Sequence, residues 1–167
     1  MSRTCCALLI TCCALLSACG PGSINDSVTA LQNSFNAKDF PAVIAAAGPL
    51  LERCEAEKAS SGVAWRVEKL RLQALASEGE GAKSLAKLEE LDGAYEGKVD
   101  AALYNKICGM VTETGAYQEA LSILDAGQKK YPEMEAVFLP QIAKLKDSIL
   151  NGGSDAAKAM LKQLGYL

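Results

Sequence analysis

From Asn25 onward the chain is a string of helix-length segments divided by helix breakers. That pattern constrains the fold more than any other feature. Alanine and leucine recur throughout, and no window shows the period-two alternation of a half-buried strand. The breaks fall at Lys38-Asp39, Ser60-Ser61-Gly62, Glu78-Gly79-Glu80-Gly81, Gly97, Gly115, Tyr131-Pro132 and Asn151-Gly152-Gly153. Segments of this length and spacing pair as antiparallel helices, so the expectation is an all-α fold of about four helix pairs.

Asn25, Asp26 or Ser27 caps the first helix, which runs to about Ala37. Pro41 suits the first turn of the second, where a missing N–H is harmless. Val43, Ile44, Ala47, Leu50 and Leu51 follow at helical spacing, and Gly48-Pro49 is expected to kink or split that helix. Val63, Val67, Leu70 and Ala74 form one stripe of a third helix; Leu85, Leu88, Leu91 and Tyr95 mark a fourth. The fifth runs from Ala101 to Thr114 with Asp100 as N-cap, and the sixth from Tyr117 to Lys130. The seventh carries Phe138, Ile142, Leu145 and Ile149, with Pro140 making it kinked or late-starting. Ser154 caps an eighth, Asp155 to Leu164, ended by Gly165.

The first residues obey different rules. Arg3 precedes an uncharged, mostly apolar run from Cys5 to Leu16, then Ser17, Ala18 and Cys19. This is the layout of a secretory signal peptide, too short for a spanning helix. Leu16-Ser17-Ala18-Cys19 resembles the lipobox of bacterial lipoproteins. The resemblance implies cleavage after Ala18 and a mature chain starting at a lipidated Cys19, held to the membrane by its acyl chains. In the family, aspartate after the cysteine tends to retain a lipoprotein in the inner membrane; Gly20 stands here, which implies an outer-membrane, periplasm-facing anchor, with the inner membrane or the cell surface as alternatives. The resulting domain plan is residues 1–18 signal, 19–24 lipidated tether and 25–167 helical domain.

Without residues 1–18, 149 of the 167 residues remain, with 16 basic against 20 acidic side chains. That is enough for a single domain to bury about two thirds of its unfolded surface. The charges are scattered. With no basic cluster, nucleic-acid binding is disfavoured, as is a basic membrane patch. Of the seven cysteines, four lie in the signal and Cys19 is the anchor, leaving Cys54 and Cys108. In an oxidising compartment these two pair, or each is a small buried hydrophobe. The second reading is favoured, because about two helix pairs separate them, beyond the ~7 Å Cα limit of a bridge.

Within the fifth and sixth helices, Tyr104, Ile107, Cys108, Val111, Ala120, Leu124, Gly127 and Pro132 fall at the spacing of the tetratricopeptide repeat. Gly115-Ala116-Tyr117-Gln118-Glu119-Ala120 is similar to that family's interhelix turn. Val111 and Gly127 depart from the family's Tyr and Ala. Lys38-Asp39-Phe40 fits the same turn of a first repeat, with Val43 at the Ala position, and Trp65 is read as the large aromatic of a second. The resemblance implies a tetratricopeptide-like solenoid whose first helix in each pair lines a concave face. On the clear repeat, Ala102, Asn105, Gly109, Thr112 and Glu113 are then the candidate partner-binding residues.

Little in the chain points to catalysis. It has no histidine, which removes His triads, His metal ligands and the usual general base near neutral pH. No phosphate-cradling glycine motif and no metal-ligand spacing is present, so no cofactor and no metal are expected. Glu89-Glu90 and Glu52, Glu55 and Glu57 read as solvated helix surface, and Trp65 and Tyr104 as core, with ligand contact the alternative for both aromatics. The reading is therefore a non-enzymatic scaffold or adaptor in an envelope assembly, tethered to the membrane and binding an unidentified protein or peptide. The alternatives are an accessory subunit of an envelope enzyme, or a self-assembling structural lipoprotein.

Overall fold

The computed structural model describes residues 22–167, and among them the fold is all-helical with no strand. The lipobox, with Cys19, lies outside the described residues. The helices are α1 (Ile24–Asn36), α2 (Phe40–Ala56), α3 (Ser61–Ser77), α4 (Gly81–Ala94), α5 (Ala101–Glu113), α6 (Tyr117–Lys130), α7 (Glu135–Gly152) and α8 (Asp155–Gln163). A short 3-10 turn, Pro132–Met134, precedes α7.

The helix ends follow local chemistry. Asp100 accepts from Leu103 N at 2.8 Å and Ser154 from Ala157 N at 3.2 Å, both as expected. The first helix begins slightly earlier than its sequence suggests. Ser23, not Asn25 to Ser27, is the N-cap, and its reciprocal pairing with Asp26 makes a capping box. Ser23 and Ile24 therefore belong to the helical fold, not to a tether.

Both interior prolines sit within continuous helices, so α2 is not split at Pro49 and α7 does not start late. Pro49 lies within α2 and Pro140 within α7. Each proline is solvent-exposed, as are Ala45 and Ala136 one turn before. The carbonyls that lose an N–H partner thus lie on the wet side of their helices, where water replaces the missing bond.

The interhelix turns repeat one geometry. Lys38, Gly79 and Gly115 all adopt positive φ (60°, 76° and 82°). The residues after them, Asp39, Glu80 and Ala116, share nearly the same dihedral angles (φ −84°, −78° and −78°; ψ 67°, 56° and 64°). Four residues on stand Val43, Ser84 and Ala120, and eight on stand Ala47, Leu88 and Leu124, all fully buried. The units starting at Gly79 and Gly115 are 36 residues apart. At that offset Tyr95 and Tyr131 both cap their helices, with φ −129° and −125°. This register places Glu68, not Trp65, opposite Tyr104. The expected alignment of the second unit on Trp65 is corrected accordingly. The last pair differs: Gly153 is extended, with φ −78° and ψ 155°.

Packing follows the same order. Each odd-numbered helix packs on the next odd one, and α4, α6 and α8 pack in sequence behind them. Two apolar cores result. One joins α1, α2 and one flank of α3, through Val28, Leu31, Val43, Ala47, Leu50, Val67, Leu70 and Ala74. The other begins at Leu72 and Ala76 on the opposite flank of α3 and extends to Ala157 and Leu161 of α8. Cys54 and Cys108 are free and buried, as small hydrophobes.

Candidate functional site

Four of the five candidate residues of α5 divide between two neighbours. Gly109, Thr112 and Glu113 face α7. Thr112 is only 4% exposed; its hydroxyl donates to the Cys108 carbonyl at 2.7 Å and accepts from Gln141 Nε2 at 3.1 Å. A Cβ on Gly109 would stand 3.3 Å from Gln141 Oε1, so this glycine admits the Gln141 side chain. Glu113 is exposed and pairs with Lys144 Nζ at 3.0 Å. Thr112 is thus a packing residue that no partner reaches, which corrects its place on an open face. The physical reason is that α7 stacks on this flank of α5. Asn105 is half-buried, and its Oδ1 is buried with no hydrogen-bond partner.

Ala102 has different surroundings. It lines a recess of about 270 Å³ where α3, α5 and the connection before α5 meet. Trp65, Lys69 and Gln73 come from α3, Lys98 and Asp100 from the connection, and Lys106 from α5. Gln73 is buried and accepts from Lys106 Nζ at 3.3 Å, which holds that ammonium at the recess. Trp65 is half-buried and packs against the larger core, with its ring 5.3 Å from that of Tyr95. Asp100 Oδ1 is committed to capping α5. None of the three lysines forms an ion pair among the described residues. Sequence reading missed this cluster because, although Trp65, Lys69 and Gln73 recur every four residues along α3 and Ala102 and Lys106 do so on α5, nothing in the sequence shows that the two stripes meet.

A larger recess, about 410 Å³, lies between α1 and α2. It is lined by small apolar side chains, and its one cation, Arg53, is already bonded to the Gly22 carbonyl, Ser27 Oγ and Glu57. It offers no convergent polar chemistry.

The carboxylates expected at the surface are there. Glu52, Glu55, Glu57, Glu89 and Glu90 are exposed. The buried acid is Glu68, which the sequence did not single out; it meets Lys87 Nζ at 3.3 Å, each side chain about 10% exposed. Lys87 also contacts Glu90 at 2.8 Å. In the 36-residue register this pair takes the places of the buried Tyr104 and Ile123. Burial pushes the Cys108 thiol up to about 12, so it is an unreactive group. Among the described residues, no cluster of three His, Cys, Asp or Glu side chains is placed to hold a metal ion. No helix there is long and apolar enough to cross a membrane. In comparisons with known proteins, no family model, curated protein or solved structure matches the chain.

Proposed function

We propose that this chain is a lipid-anchored, non-enzymatic scaffold of the cell envelope, built on a tetratricopeptide-like solenoid of about four antiparallel helix pairs. The observation that carries the reading is the thrice-repeated turn, at Lys38, Gly79 and Gly115, with its matching buried positions behind. Repeats of that kind stack into an extended surface for peptides or partner proteins. The succession of odd-numbered helices supplies such a surface, with Ala102 and the lysine-lined recess on it. The lipobox at Leu16 to Cys19 supports an acylated N-terminus, and Gly20 supports the outer membrane, facing the periplasm.

The test is capture from living cells. A C-terminally tagged copy is crosslinked at native expression, extracted from the envelope in detergent, and its co-purifying proteins are identified by mass spectrometry, beside a Cys19→Ala copy. Palmitate labelling of the first copy alone, with a reproducible envelope partner, is the expected result. A protein that carries no lipid, or that brings down no partner above the control, overturns it. A sedimentation shift with concentration in place of a partner would favour the self-assembling alternative.

A further inference from the structure

We infer that the recess between α3 and α5 receives a carboxylate-rich segment of the partner protein, its acidic groups on Lys69, Lys98 and Lys106 and a neighbouring apolar side chain on the Trp65 indole. The inference rests on the scaffold reading and names the chemistry of its partner. Charge distribution is the first reason. The whole chain carries net −3, yet three ammonium groups border one recess. Among the described residues Arg53, Lys83, Lys87, Lys129, Lys130 and Lys144 each stand beside a carboxylate of the fold, whereas scattered surface cations such as Lys38, Lys58 and Lys162 do not. The three at the recess are unpaired too, and they are set apart by converging on one space, where three ammonium groups face one carboxylate, Asp100, whose Oδ1 caps α5.

Placement is the second reason. Lys106 is drawn to the recess by the buried Gln73, not left free to wander in solvent. A positioned ammonium loses less freedom on binding than a mobile one. Trp65 is held by Tyr95 and only partly buried at the edge, so its remaining surface is rigid apolar area beside the charges. At about 270 Å³ the space suits one or two side chains, not a folded domain. A peptide alternating acidic and apolar residues matches both halves of the recess.

Trp65 is the chain's only tryptophan, so its fluorescence reports on the site directly. The full-length lipidated protein in detergent is titrated with acetyl-Glu-Leu-Glu-Glu-amide, with the matching Gln peptide, and with inorganic phosphate. The expected result is a saturable change with the Glu peptide alone, weakened when salt is raised from about 0.05 to about 0.5 M. Lys69→Ala with Lys106→Ala weakens binding by about tenfold or more, Lys69→Arg with Lys106→Arg retains it, and Lys162→Ala on α8 leaves it unchanged. No saturable response, an equal response to the Gln peptide or to phosphate, or indifference to the double alanine variant overturns the inference. A flat titration alongside persistent capture of a partner in cells refutes the recess and leaves the scaffold standing; loss of both refutes the scaffold.

Discussion

The Glu68–Lys87 pair gives the sharpest stability prediction. Both side chains are about 10% exposed, and Lys87 Nζ, at 3.3 Å, is the one charged group against Glu68 Oε2, which has no well-aligned hydrogen bond among the described residues. Replacing Lys87 by Met strands a buried carboxylate, which costs about 3–5 kcal/mol. Against a typical total of about 5–15 kcal/mol, that is a large fraction of the stability. For a domain of this size it lowers Tm by roughly 6–20 °C. Replacing both partners, Glu68→Leu with Lys87→Met, removes the stranded charge. The next unit already places Tyr104 and Ile123 at these two positions. The double variant should come within about 1 kcal/mol of the parent or exceed it. Urea denaturation followed by far-ultraviolet circular dichroism measures all four proteins as a double-mutant cycle. A Lys87→Met cost under about 1 kcal/mol, or a double variant as unstable as the sum of its singles, would refute the reasoning.

Other substitutions read the turns and the close approaches. A Cβ on Gly81 would overlap the Glu119 side chain and stand 3.1 Å from Val111 Cγ1, so Gly81→Ala should cost about 1–3 kcal/mol. Gly93, the second-to-last residue of α4, has nothing within 4 Å of a Cβ, and Gly93→Ala should gain about 0.5 kcal/mol in the same denaturation assay. Lys38 holds a positive φ of 60° that glycine adopts without strain, so Lys38→Gly should stabilise by about 0.5–1 kcal/mol. Cys108 keeps its proton in the fold to about pH 12, whereas the unfolded thiol releases it near 9.0. Its contribution to stability is full below the unfolded value and is lost as pH rises through that window, and Cys108→Ala should lessen the loss. Iodoacetamide should accordingly modify Cys108 only when the chain is unfolded, as peptide mass spectrometry will show.

Much of the helix inventory was legible because breakers act locally: Asp100, Ser154, Gly115 and Gly165 stop or start helices by their own chemistry. The unit from Ala101 to Pro132 was legible because its buried positions carry ordinary core residues. The unit before it was hidden by Glu68 and Lys87, two charged residues in buried places that only their mutual contact makes tolerable. Trp65, the conspicuous aromatic nearby, drew the alignment to itself. At Pro49 and Pro140 the sequence left a break and a kink both open: whether an interior proline breaks a helix depends on which side faces water, and that is fixed by tertiary packing. The candidate face was read from one helix alone. A single helix cannot show that α7 covers Thr112, nor that Lys69, Lys98 and Lys106 converge from separate elements.

The central claim, a membrane-tethered scaffold that binds through its odd-numbered helices, is tested most directly by site-specific photocrosslinking in cells. A photoreactive residue replaces Ala102 at the recess or Gln118 on α6, with Cys19 intact. The account predicts a discrete crosslinked species from position 102 and none from position 118, and its loss on Cys19→Ala. Equal crosslinking from both positions, or none from position 102 at native expression, would contradict it.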